Sequence, residues 1–247
     1  MLWKSSAIVG SAIEASDGAI GSVTDLLFDD TTWALRWCVV DTGSWLSGRK
    51  VLLPPSTLGA PDPSRHAFSV DLTRKQISDS PVIDADAPVS RQLESSLYGY
   101  YGWSPYWYPS YGVGMMGAVP IAQRQPPGHR ADGGDPTSGD PNLRSANEIT
   151  GYYVRASDDD IGHVEELLVD IESWDIRYFV VDTKNWWPGK KVLVAPQWFK
   201  EVTWTDKTVY VNLTRDQVSK SPAYDPSTTA DRAYQDRLYQ HYGYQGY

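Results

Sequence analysis

Residues 2–103 and 143–244 carry one text twice, at a constant offset of 141 and without a gap. Gly10 falls on Gly151, Asp17 on Asp158, Gly21 on Gly162, Trp33 on Trp174 and Asp41 on Asp182. Trp45 falls on Trp186, Arg74 on Arg215 and Pro81 on Pro222. Roughly 38 of about 100 aligned positions are identical, which reads as one structural unit written twice. Three segments follow: a first unit over 1–103, a connector over 104–142 and a second unit over 143–247. Each unit is long enough for one modest core. Positions kept in both copies are those the unit needs, and like surfaces in one chain predict a pseudo-twofold pair.

Composition removes several function classes. A net charge of −9 and an isoelectric point near 4.9 argue against nucleic acid, whose phosphates call for a Lys/Arg surface. The same sign disfavours anionic lipid headgroups. One cysteine, Cys38, excludes an intramolecular disulfide framework and fits a reducing compartment, so the expected location is the cytoplasm. Phe179 stands at the equivalent place, which marks Cys38 as an apolar core residue. Met1-Leu2-Trp3-Lys4 runs straight into polar residues, so no signal peptide is expected. The longest apolar stretch, Val113 to Ala122, is about half a membrane span and holds glycines and a proline, so no transmembrane helix is expected. The excess is aromatic and amphipathic: 11 Trp and 16 Tyr against 4 Phe, types suited to interfaces and half-buried surfaces.

Each copy reads as short strands. Ile149 to Ala156 is a β-rich run, followed by a turn at Ser157–Gly162, which in the first copy is Ser16–Gly21 with an Asp17-Gly18 hairpin signal. Val164 to Asp170 returns. After a break at Ser173-Trp174-Asp175 comes a strong strand, Ile176 to Asp182, matched by Leu35 to Asp41. Lys50–Pro54 and Lys191–Ala195 form a fourth strand, stopped by Pro55 and Pro196. Val202–Trp204 and Val209–Leu213 make a further hairpin. Thr73–Ile77 and Thr214–Val218 are single N-capped helical turns. Ser90–Tyr101 and Thr229–Tyr242 are amphipathic helices, each short enough to need a docked apolar face. The connector is rich in Pro and Gly, reads as a linker, and is expected to be disordered beyond about residue 122.

The hairpin Asp17-Gly18-Ala19-Ile20-Gly21-Ser22-Val23, the strand Val39-Val40-Asp41 and the strand Lys50-Val51-Leu52-Leu53-Pro54 together resemble the PRC-barrel family. The second copy repeats them as Asp158–Val164, Val180-Val181-Asp182 and Lys191–Ala195, with Asp159 in place of the turn glycine and Ala195 in place of Pro54. The tails, from Ser80-Pro81 to Tyr98-Gly99-Tyr100-Tyr101-Gly102-Trp103, are similar to those of stand-alone bacterial proteins related to the photosynthetic reaction-centre H subunit. The resemblance covers about 200 of the 247 residues. It implies a mainly β (α+β) chain: two tandem, small, partly open β-barrels, each with a C-terminal helical extension. It also implies a docking module with no catalytic residues to carry over.

Other patterns are weaker. Gly112-Val113-Gly114-Met115-Met116-Gly117 has the letters of a dinucleotide fingerprint but neither a preceding strand nor a following helix, so no nucleotide cofactor is expected. Asp158-Asp159-Asp160 has carboxylates for a hard cation, but the first copy has Asp17-Gly18-Ala19, and a solvated turn is the better reading. His66, His129, His163 and His241 show no metal-ligand spacing, and no Ser-His-Asp set suggests itself. Asp41 with Arg36, and Asp182 with Arg177, could form a structural pair or mark a binding rim; structure is the better reading, because strand ends commonly use Asp to satisfy a turn. Trp45, Trp186 and Trp187 lie in a polar loop, either lidding a barrel mouth or docking a partner. With Tyr101, Trp103, Tyr242 and Tyr244 they are the candidate partner contacts. The chain is thus expected to be a non-enzymatic adaptor or assembly protein without cofactor or metal, holding a protein partner, with self-association open. The alternative is a ligand-binding or sensory module using the groove between the barrels.

Overall fold

The structure is a computed structural model describing residues 1–62, 64–81, 89, 91–103, 139–183, 190–228 and 230–243. The first half runs β1 (Leu2–Lys4), α1 (Ser5–Ile8), β2 (Ala12–Ala15), β3 (Gly18–Asp29), β4 (Leu35–Asp41), β5 (Lys50–Leu53), β6 (Leu58–Asp62), β7 (Ala67–Val70), α2 (Arg74–Ser78) and α3 (Arg91–Tyr101). The second half runs β8 (Leu143–Ser145), α4 (Ala146–Ile149), β9 (Tyr153–Arg155), β10 (Asp160–Asp170), β11 (Asp175–Asp182), β12 (Lys191–Val194), β13 (Phe199–Thr203), β14 (Thr208–Val211), α5 (Arg215–Lys220) and α6 (Arg232–Tyr242). The offset read in the sequence carries each element of one half onto its counterpart within a residue or so. The Gly112–Gly117 pattern and nearly all of the Pro/Gly-rich connector lie outside the described residues.

Each half is a meander whose last strand returns beside its first. The sheet orders are β5-β4-β3-β2-β7-β6 and β12-β11-β10-β9-β14-β13. Returning strands pair in parallel, β7 with β2 and β14 with β9, and all other neighbours are antiparallel. Because β5 does not pair with β6, nor β12 with β13, the barrels are partly open, as the resemblance implies. Alternation along β4 explains its nearly unbroken apolar run. Cys38 and Val40 face the barrel core, while Trp37 points to the other side with Leu52, under Leu97 and Tyr98 of α3. A strand covered on both faces over its middle keeps polar residues to its ends, here Arg36 and Asp41.

The glycine of the Ile-Gly motif is fixed by crowding. A Cβ on Gly21 would stand 1.8 Å from the Asp41 carbonyl oxygen, and one on Gly162, at φ +146°, would stand 2.0 Å from that of Asp182. Only a bare backbone lets the first hairpin cross the end of the central strand this closely.

One sequence expectation is corrected. Ile149–Ala156 is not a single extended run: residues up to Ile149 are the one-turn helix α4, and only Tyr153–Arg155 is strand. The Ser145 hydroxyl accepts from Glu148 N–H at 3.0 Å and caps α4, and Gly151 at φ 91° then turns the chain. Local capping chemistry overrides the β-rich composition.

The two halves do more than pack. β1 leaves the first half and pairs antiparallel with the far end of β10, Leu2 opposite Asp170 and Lys4 opposite Leu168. Reciprocally, β8 pairs with the far end of β3, Leu143 opposite Asp29 and Ser145 opposite Leu27. The short helices follow their strands across, α1 onto β10 and α4 onto β3, burying Ile8 and Ile149 completely. A single hydrophobic core runs through both halves.

The tails dock as short amphipathic helices must. Leu97 and Tyr98 of α3 are buried, as are Leu238, Tyr239 and Tyr242 of α6. The Tyr100 hydroxyl donates to the Gln76 carbonyl at 2.9 Å, and His241 Nε2 meets the equivalent Gln217 carbonyl at 2.7 Å. Both carbonyls belong to capped helices: Thr73 and Gln76, and Thr214 and Gln217, form reciprocal capping boxes. No helix among the described residues is long and apolar enough to cross a membrane.

Candidate functional site

The seam between the halves is built from two turns that the sequence marks only as breaks. In the first, the Asp29 carboxylate accepts from the N–H groups of Thr31 and Thr32, both at 2.9 Å, and from the Thr31 hydroxyl. The Arg36 guanidinium lies 3.6 Å away. Burial alone would raise the Asp29 carboxyl, but these donors and the cation outweigh it and hold it below the usual carboxylate range. The turn places Trp33 at φ 62°, and the equivalent turn places Trp174 at φ 58°. A bulky side chain in the left-handed region is strained and persists only where its surroundings fix it. Here the fixing is mutual: Leu35 N–H donates to the Trp174 carbonyl, and Ile176 N–H to the Trp33 carbonyl, both at 2.8 Å.

The Trp33 ring then enters the other half. It stacks on Phe28 and meets Phe179 and Phe199 edge-on, with centroids 5.5 and 5.3 Å away. Trp174 lies against Phe68 of the first half at 6.2 Å. Arg144, on the crossing strand β8, pairs with Asp30 at 2.9 Å and covers the Trp204 ring at 4.4 Å. Asp25 accepts from the Ser145 hydroxyl at 2.6 Å, and Glu166, its counterpart, accepts from the hydroxyls of Ser5 and Ser6.

Several clefts open along this seam, two of them sharing residues. One, of about 360 Å³, is lined by Thr32 and Trp33 from the first half and by Asp175, Arg177, Gln197 and Tyr239 from the second. The other, of about 350 Å³, also reaches Arg177 and Tyr239 and is bordered by Leu2, Asp170 and Arg232. Arg177 stands 3.7 Å from Asp170, mirroring Arg36 and Asp29. This corrects the expected pairing: each arginine faces the turn aspartate before its own strand, not the aspartate ending it. Asp41 instead accepts from Gly43 N–H at 2.8 Å and so closes the turn at the end of its strand. Paired charges beside aromatic faces suit binding by stacking and hydrogen bonding.

The candidate contacts fall elsewhere. Trp45 is half-buried: its Nε1 donates to the Ile20 carbonyl and the Arg74 guanidinium covers its ring at 4.4 Å. Tyr101 and Trp103 stack at 4.0 Å and 16° at the end of α3, both half-buried. Arg74 and Gln76 both belong to α2, so Trp45 and the end of α3 are brought to one neighbourhood. Tyr242 is only 6% exposed and packs on Trp198 at 4.6 Å, which makes it core and leaves it little surface for a partner. Trp186, Trp187 and Tyr244 lie outside the described residues. The Cys38 thiol is fully buried in β4, and burial pushes its pKa up to about 12. The acidic turn is tied down: Asp158 accepts from Arg215 N–H at 2.8 Å and Asp159 pairs with the Arg215 guanidinium. Among the described residues no three His, Cys, Asp or Glu side chains are grouped to hold a metal ion.

Sequence reasoning missed the crossing strands and the seam tryptophans. The signal present was Trp33 and Trp174, kept in both copies within a polar turn where a core residue has no local use.

Comparison with known proteins covers part of the chain. The model of the PRC-barrel domain matches residues 141–218, from just before β8 into α5, so a PRC-barrel domain is present there. A protein of Deinococcus radiodurans described as uncharacterized is 41% identical over 93 residues, which make up 37% of this chain. The chain covers 31% of that relative's length.

Proposed function

We propose that the PRC-barrel domain of residues 141–218 and the first half, which repeats its topology, arose by tandem duplication and act together as a non-enzymatic adaptor holding a protein partner. The observation carrying this reading is how the first half holds its aromatic side chains. Trp45, Tyr101 and Trp103 are fixed at the surface around α2, half-buried and conformationally restrained, and such groups dominate binding energy where proteins meet. Trp186, Trp187 and Tyr244, the candidates in the second half, rest on the sequence alone, since they lie outside the described residues. The family resemblance adds a role like that of the reaction-centre H subunit, exercised in the cytoplasm.

The test is co-purification with the full-length protein as bait. A discrete stoichiometric partner should be retained by wild type and lost with Trp103→Ser, while the melting temperature of the variant stays within a few degrees of wild type. Retention of the same partner by Trp103→Ser together with Trp45→Ala would remove these residues from the docking surface.

A second reading has its own support. The clefts at the seam combine Trp33, Tyr239, Arg177 and Gln197, a set suited to a small polar ligand. A metabolite that raises the melting temperature, with the shift abolished by Arg177→Ala, would favour that reading over the adaptor.

A further inference from the structure

We propose that the strand exchange joining the two halves also operates between copies of this chain, producing a dimer in which each first half pairs with the second half of the other copy. Three observations carry the proposal. First, the exchange is reciprocal: β1 completes β10, β8 completes β3, and the Trp33 and Trp174 carbonyls accept across the same seam. Any first half therefore offers any second half the same contacts, whichever polypeptide supplies it. Second, the crossing strand is part of the unit and not of the connector. The PRC-barrel match begins at residue 141 and so includes Leu143–Ser145, which leave that barrel to pair with β3. Third, residues 104–138 are long enough in sequence, at up to about 3.3–3.6 Å per residue, for an upper bound on the order of 100 Å between the halves, well beyond the size of one unit.

Pairing within a chain and pairing between chains then differ only in the entropy of connection. Exchange of identical elements is a low-cost route to a dimer, and the balance is set by the effective concentration of one half near the other, about a millimolar for a short connector and lower for a longer one. Once formed, either species is held by two crossing strands and a continuous core, so interconversion requires opening the seam.

The experiment uses the full chain with a specific protease site placed within residues 104–138. The protein is unfolded in denaturant, refolded at roughly 1 µM and at roughly 1 mM, and sized by light scattering before and after cleavage. We expect a species of one chain mass, 27.6 kDa, at the lower concentration. At the higher one the dimer share should rise at least tenfold, toward about half. Cleavage should collapse that dimer to particles of one chain mass, each holding one first and one second half. A dimer that keeps its mass after cleavage would mean association through another face and would overturn the proposal. So would a purely monomeric product at both concentrations, or halves that separate once the connector is cut.

Discussion

Gly21 and Gly162 are the residues at which this fold has least latitude, because the missing Cβ is what lets the hairpin cross the carbonyl of Asp41 or Asp182. Gly162→Ala should therefore cost about 3 kcal/mol or more, read as a lower urea midpoint with an unchanged slope; a loss under about 1 kcal/mol would mean that the crossing relaxes. Asp29 and Asp170 make a different demand. At Asp170, as at Asp29, burial raises the carboxyl but is outweighed, here by the Met1 ammonium, the Glu172 N–H and Arg177. Both end below their ordinary value of 3.8. A carboxylate depressed in the folded state stabilises above its unfolded value, and that contribution disappears as pH falls through the folded one. Unfolding free energy should thus be level from about pH 7 to pH 5 with respect to these groups and decline below about pH 4, and the decline should be shallower in Asp29→Asn. An equal acid slope in that variant would assign the effect to other groups.

Among the elements, the strands were legible in the sequence because alternation and turn chemistry are local. Leu35–Asp41 begins and ends as read, and the capped turns at Thr73 and Thr214 follow from side chains three residues apart. The two tail helices were legible by the same logic, since an eleven-residue amphipathic helix needs something to lie on. Leu97→Asp and Leu238→Asp each place a charge at a buried site and should lower stability by about 2 kcal/mol or more. Truncation after Pro222 should lower the melting temperature; no change would make α6 an arm with no role in stability. β1 and β8 were not legible. Three-residue strands carry no periodicity, and each is defined by a partner that no local pattern reveals, 164–168 residues away for β1 and 114–118 for β8. Arg36 and Arg177 show the same limit. Their importance was readable from the repeat, but their partners were assigned to the wrong end of the strand.

At the scale of the molecule, one core threads both barrels, so neither half is a closed unit in the usual sense. Calorimetry should show one transition whose van't Hoff and calorimetric enthalpies agree, and Ile8→Asp should shift that single peak downward without splitting it. Two resolved transitions would indicate halves that melt separately. The pairing also has a consequence for what the surface can become. Two identical subunits related by a twofold axis must display every feature in duplicate. Here the halves occupy one polypeptide, and positions away from the seam are free to diverge. Leu58-Gly59-Ala60-Pro61 on β6 corresponds in the repeat to Phe199-Lys200-Glu201-Val202 on β13, one edge uncharged over these residues and the other bearing opposite charges. A symmetric frame with unlike rims gives an attached molecule a distinguishable left and right, so it can be gripped in one orientation only.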